Sequence, residues 1–109
     1  MTAIPLGRVT VPTAGTPITL ASVITPAQTA HLNAAGLCAK VEVWPDPTAA
    51  GRVYLKQNSV ILAALPVPTG GYPLPWATPE CDRNCINPSA FSIDAATNGD
   101  GAYVTLWVE

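Results

Sequence analysis

Residues able to carry out chemistry are few in this chain, and they do not form a known catalytic pattern. His31 is the one histidine, and no nucleophile and acid are spaced around it as in a catalytic triad. The seven acidic residues are dispersed, and neither a G-x-S-x-G elbow nor a glycine-rich phosphate loop is present. We therefore predict a structural role for His31, at the surface or half buried, no catalytic residues, no cofactor and no enzymatic activity.

The three cysteines raise the question of a metal site or a disulfide. Cys81 and Cys85 enclose Asp82 in a single C-x-x-x-C, and His31 and Cys38 are the remaining candidate ligands. Structural zinc sites usually combine two cysteine pairs, or one pair with two histidines, so we predict no metal. An odd number of cysteines without a visible secretion signal favours reduced thiols, and a short bridge from Cys81 to Cys85 is the open alternative.

Length and composition predict one small domain over residues 1–109. The chain has 109 residues, of which 49% are hydrophobic and 11% charged, so it can bury a core. Twelve prolines and eight glycines argue for many short elements. The net charge of −2 and the scattered basic residues argue against nucleic acid as a partner. No apolar run approaches the roughly 20 residues that span a bilayer, so no membrane partner is predicted either.

Alternation of β-branched and polar residues predicts an all-β fold. The strand candidates are 7–12, 17–20, 39–44, 52–56, 91–94 and 102–108. Neighbouring candidates are predicted to pair as hairpins: the first two, the middle two with Glu42 near Lys56, and the last two across the turn Asn98–Gly101. The apolar run 60–65 fits a central strand or a helical turn equally well.

These elements together predict an antiparallel β-sandwich, jelly-roll-like, with seven or eight short strands. At most one short helix is expected, in residues 25–36, because Thr25, Pro26 and Gln28 form a helix-start pattern. The side chains expected in the core are Val9, Ile18, Leu20, Val41, Val43, Val53, Leu55, Phe91, Ile93, Val104 and Leu106.

A proline-rich arm is predicted at about residues 65–80, where five prolines prevent regular pairing in a sheet. Stiff extended chain loses little entropy when it docks, and aromatic side chains are effective anchors in a partner's pocket. The predicted partner-contact residues are therefore Tyr72, Pro73, Leu74, Pro75 and Trp76. In the alternative interpretation, the two aromatic side chains cover an open edge of their own core.

Aromatic residues also lie on the strand faces opposite the aliphatic ones. These are Trp44, Tyr54, Tyr103 and Trp107. Either both faces of a sheet are covered, or an aromatic strip is exposed for contact. Because sugar-binding modules display such strips, a carbohydrate-binding role, with Trp44, Trp76 or Trp107 stacking on sugar rings, is a second hypothesis.

Three stretches give the chain a resemblance to small tailed-phage virion proteins. They are Gly7–Val11 with Ala14–Ile18, Cys38–Trp44 leading to Gly51–Leu55, and Ile93–Gly101. The resemblance covers most of the chain apart from residues 25–36 and the proline-rich arm, and it assigns no functional residue.

The resemblance implies a non-enzymatic β-sandwich protein that decorates or cements the exterior of a capsid. The expected partners are the major capsid protein or another virion protein, and further copies of the chain, with a trimer favoured. The expected location is the virion, assembled in the cytoplasm of a bacterial host. A carbohydrate-binding module of a phage tail or fibre is the alternative.

Overall fold

The computed structural model describes residues 2–32, 36–66, 76–77 and 83–109. Eight strands lie in these ranges: β1 (Thr2–Thr10), β2 (Ile18–Thr19), β3 (Lys40–Pro45), β4 (Val53–Gln57), β5 (Val60–Leu65), β6 (Trp76–Ala77), β7 (Phe91–Ala95) and β8 (Gly101–Val108). Two four-residue helices, α1 (Leu20–Val23) and α2 (Pro26–Thr29), follow β2, and a 3₁₀ turn at Pro88–Ala90 precedes β7.

The strands form two four-stranded antiparallel sheets. The first has the order β1-β8-β3-β6 and the second the order β2-β7-β4-β5. Among the described strands, β4 and β5 are the only consecutive pair that shares a sheet, and every other connection crosses from one sheet to the other. This connectivity is that of an eight-stranded jelly roll, so the predicted all-β sandwich is confirmed.

The core lies between the two sheets and contains the predicted side chains. Alternate residues of β3, β4, β7 and β8 point inward, as the period of two in an extended strand requires. Ile18 is half buried against this cluster. The other predicted core residues are buried in it: Val9, Leu20, Val41, Val43, Val53, Leu55, Phe91, Ile93, Val104 and Leu106.

The three predicted hairpins are wrong. The two strands of each predicted hairpin lie in different sheets: β1 and β2, β3 and β4, and β7 and β8. The loops between them therefore cross the end of the sandwich. Glu42 and Lys56 therefore do not face each other across a ladder, and Lys56 instead pairs with Asp94 of β7 at 3.0 Å. The six strand candidates each overlap a strand of the structure because alternation is local, whereas the choice of neighbour depends on which inward faces pack together.

The expectation of at most one helix is also corrected, since two four-residue helices form. α2 begins as predicted: Thr25 accepts a hydrogen bond from the backbone of Gln28, and the Gln28 side chain accepts one from the backbone of Thr25. Pro26 occupies the first turn. Leu20, predicted at the end of a strand, begins α1 instead and is buried there.

The hairpin that does form joins β4 to β5 through Asn58 and Ser59. Gln57 pairs with Val60, so the loop has two residues, and both have positive φ, 50° at Asn58 and 69° at Ser59. This geometry matches a type I′ turn, which fits the right-handed twist of the flanking strands. Asparagine tolerates the left-handed region, but serine does so at a cost that glycine avoids.

Ser59→Gly should therefore raise the free energy of unfolding by about 0.5 to 1 kcal/mol, because it relieves backbone strain in the turn. Chemical denaturation of the variant and the wild type measures the change. The matched control is Ser92→Gly, the same exchange in extended strand β7, which should lower stability instead. Equal destabilisation by both exchanges would show that Ser59 is not strained.

Candidate functional site

The residues selected for their chemistry do not converge in the structure. His31 is exposed just after α2, as predicted. Cys38 is a fully buried free thiol, and burial raises its pKa to about 11, so it stays protonated at neutral pH. Within the described ranges, no group of three or more His, Cys, Asp or Glu side chains could hold a metal ion.

The expectation of reduced thiols needs a correction at Cys85. Cys85 is disulfide-bonded, whereas Cys38 is free. Cys81 and Asp82, the other members of the C-x-x-x-C motif, lie outside the described residues. A disulfide at Cys85 favours the bridge that the sequence left open over a metal-ligating or free thiol at this position.

Three aspartates are buried in the described part of the chain. Asp46, Asp94 and Asp100 each retain less than a tenth of their accessible surface. Asp46 accepts hydrogen bonds from the backbone and hydroxyl of Thr48 and is ion-paired with Arg8. Each carboxylate therefore needs internal partners, because a buried charge without them is costly.

Asp94 and Asp100 bind the crossing loops. Asp94 accepts hydrogen bonds from the backbone N–H of Gly15, in the β1–β2 loop, and from Lys56. Asp100 accepts hydrogen bonds from the N–H groups of Ala50 and Gly51, both in the β3–β4 loop. These contacts hold the β1–β2 and β3–β4 loops against Asp94 and Asp100 at one end of the sandwich.

The same contacts shift the acidity of two of these groups. Burial raises the pKa of Asp46, but hydrogen bonds from Thr48 and Arg8 together outweigh it, so the pKa lies below its usual range. At Asp94 burial again raises the pKa, but the hydrogen bonds from Lys56, Ala95 and Gly15 lower it by a larger amount. The pKa of Asp94 therefore also lies below its usual range. Both aspartates are therefore charged at neutral pH in the folded protein.

Acid should consequently destabilise the fold through these two residues. Because their folded pKa values are lowered, they stabilise the native state above the unfolded pKa, and this contribution is lost as the pH falls from about 5 towards 2. Asp46→Asn combined with Asp94→Asn should lower the free energy of unfolding at pH 7 by about 2 kcal/mol or more.

Denaturant titrations at several pH values test this expectation. The double variant should have a flatter dependence of stability on pH than the wild type in the acid range. Parallel curves for the two proteins would place the acid sensitivity elsewhere.

An exposed apolar surface lies on β5, and we call it the apolar edge. It consists of Val60, Ile61 and Leu62, with 68%, 54% and 39% of their surface exposed. Among the described strands, β5 stands last in its sheet and pairs with β4 alone. Large contiguous apolar side chains on a free strand edge mark a contact site in a native protein.

Two shallow depressions adjoin the tip of this hairpin. One, of about 200 Å³, is lined by Asn58, Ser59 and Ser89 among others. The second, of about 260 Å³, is lined by Gln57 and Asn87 among others, and Ala90 and Phe91 line both depressions. The hairpin tip therefore stands between two small concavities that a partner side chain can enter.

Sequence reasoning did not identify the apolar edge as a site. The run 60–65 was assigned either to a central strand or to a helical turn, and the structure shows an edge strand instead. The available signal was the lack of alternation: six apolar residues in a strand of which one face is solvated must leave some of them exposed.

Of the predicted arm, residues 65–66 and 76–77 belong to the described part of the chain. Tyr72, Pro73, Leu74 and Pro75 lie outside the described residues. The backbone of Trp76 pairs with Val43 in the edge strand β6. The segment predicted as the arm thus connects the edge strand β5 of one sheet to the edge strand β6 of the other.

The outer face of the first sheet carries the aromatic residues expected there. Trp44 pairs with Tyr103 across β3 and β8, and Arg8 pairs with Tyr103 on its other side. Tyr103 is 45% exposed, and Trp44 is half buried with its Nε1 donating to Glu42 Oε1 at 2.6 Å. Trp107 is also half buried, two positions along the same face.

Comparison with known protein families, with curated proteins and with solved structures finds no match for this chain. No helix in the described ranges has the length and apolar character needed to cross a membrane. The fold and the surfaces described above are therefore the basis for a functional proposal.

Proposed function

We propose that this protein is a non-enzymatic structural component of a tailed-phage virion, which decorates or cements the capsid exterior through protein–protein contacts. The observation that carries the proposal is the apolar edge, with three adjacent large apolar side chains exposed on a free strand. The proposed partners are the major capsid protein, another virion protein or a further copy of the chain.

The fold supports this proposal by analogy. Jelly rolls occur in viral capsid proteins and in lectins, and both uses depend on the outer surfaces of the sandwich rather than on a catalytic cleft. The described part of this chain has shallow depressions at its surface, and its buried acids bind its own loops. The sequence resemblance to phage virion proteins points to the first of these two uses.

The energy available at the apolar edge suits a repeated contact. Fully burying a valine, leucine or isoleucine contributes about 1.5 to 3 kcal/mol, so the exposed fractions here leave roughly 2 to 5 kcal/mol for all three. Association itself costs about 4 to 15 kcal/mol. A single contact is therefore weak, whereas many copies on one shell gain avidity from linked contacts.

The test is Ile61→Lys, assayed on shells assembled from the proposed partner, the major capsid protein. A charge in the middle of the apolar edge should reduce occupancy of the shells at least tenfold, because it must be desolvated on binding. The matched control is Ala3→Lys, the same charge change at an exposed position of edge strand β1.

Occupancy is measured by quantitative gel analysis of purified shells, and circular dichroism confirms that each variant is folded. The Ala3→Lys variant should bind like the wild type. Equal occupancy of all three proteins would refute a role for the apolar edge, and a wild-type chain that never binds shells would refute the proposed function.

A carbohydrate-binding role on a phage tail or fibre is the second candidate, and the row formed by Arg8, Tyr103 and Trp44 favours it. The row places the exposed ring of Tyr103 beside the half-buried ring of Trp44, and aromatic side chains line sites that bind small ligands. In that case Tyr103→Ala should weaken binding on a glycan array about tenfold or more, while Ile61→Lys should not. Absence of any glycan binding by the wild type excludes this candidate.

A further inference from the structure

Among the described residues, no strand lies on the outer side of β5, and apart from a β-bulge at Leu62 the strand carries none of the sequence features that usually protect a sheet edge. Val60–Leu65 contains no charged residue, no proline and no glycine, and Pro66 follows only after the strand has ended. Natural edge strands normally carry lysine, proline or inward-pointing charges, because an open row of N–H and C=O groups recruits other strands. An uncharged apolar edge is therefore suited to pairing with another strand, in a register that accommodates the bulge.

A β-bulge sets the register that such pairing can take. Ala63 pairs with Leu55 and Ile61 with Lys56, which leaves Leu62 as the extra residue. Residues three apart in a regular strand face opposite sides of a sheet. The bulge removes this difference, so Ile61 and Ala64 fall on the same outer face, beside Lys56 and Tyr54 respectively.

We propose that two copies of this chain pair antiparallel through β5, about a two-fold axis between Leu62 and Ala63, and join their four-stranded sheets into one of eight strands. Ile61 then faces Ala64 of the partner subunit, and Leu62 faces Ala63 of the partner subunit. Val60 faces Leu65 of the partner subunit at each end of the pairing.

The strand is complementary to itself in size and in charge. A two-fold interface requires that residue i contacts residue j of the partner while j contacts i, and the pattern Val-Ile-Leu-Ala-Ala-Leu places the large Ile61 and Leu62 opposite alanines. Because β5 is uncharged, pairing brings no like charges together within the strand. Lys56, the nearest basic residue, is held by Asp94.

The size of the contact sets its strength. Specific stable interfaces bury roughly 1,200 to 2,000 Å² in total, and two six-residue strands provide less than that. The dimer therefore forms at high protein concentration and dissociates on dilution. This inference rests on the proposed function in one respect, since it names a second copy as the occupant of the apolar edge.

Analytical ultracentrifugation of the purified chain, from micromolar to millimolar concentration, tests the pairing. The wild type and the control Ala3→Lys should shift from monomer to dimer over this range, and Ile61→Lys and Ala64→Lys should remain monomeric. Both altered positions are exposed, so the variants should keep the circular dichroism spectrum of the wild type.

A mixture of two variants tests the register. Ile61→Lys and Ala64→Glu should each dimerise poorly alone, whereas an equimolar mixture should recover a heterodimer, because Lys and Glu face each other once in the proposed pairing. A wild type that stays monomeric at millimolar concentration, a trimer, or a dimer that survives both lysine variants would overturn the inference. Mixed variants that fail to recover would overturn the register.

These outcomes are separable from those of the shell experiment. If the wild type is monomeric and Ile61→Lys still reduces shell occupancy, the proposed function stands and the second copy is the wrong occupant. If the dimer forms as described and no protein binds shells, the pairing stands and the proposed function is wrong.

Discussion

The packing of one sheet's apolar face against the other is the interaction on which the rest of the structure depends. Val41 and Val43 of β3 and Val104 and Leu106 of β8 meet the inward residues of the second sheet, and all four are essentially inaccessible to water. Apolar burial is the dominant favourable term in folding, and a chain of this length has room for one such layer. Each strand must therefore present its apolar side to the opposite sheet.

That requirement explains the buried aspartates. When consecutive strands lie in different sheets, their loops cross the end of the sandwich, and backbone N–H groups there lose water without gaining a ladder partner. The carboxylates of Asp94 and Asp100 accept hydrogen bonds from these loops at Gly15, Ala50 and Gly51. The chain thus stabilises its crossings with carboxylate acceptors, and the lowered pKa of Asp94 links the stability of this end of the sandwich to pH.

The functional proposals follow from the places where this packing is incomplete. β5 is the last described strand of its sheet. Leu65, at one end of β5, is buried, whereas the apolar edge at the other end is exposed. The hairpin turn at Asn58 and Ser59 holds these side chains out at a defined position, with concavities on both sides. An uncharged apolar strand edge of this kind is suited to contact with another protein surface.

Alternation and capping are local properties, so the residues alone predict six of the strands, their inward faces and the start of α2. Val104 and Leu106 could be placed in the core, and Thr25 at a helix start, from their immediate neighbours alone. Which strands become neighbours depends on long-range packing, so none of the three predicted hairpins forms and Glu42 and Lys56 lie in different sheets. The exposure of Val60 and Ile61 was decided in the same way. An apolar strand is buried or exposed according to whether another sheet or strand covers it, and that depends on the position of every other strand.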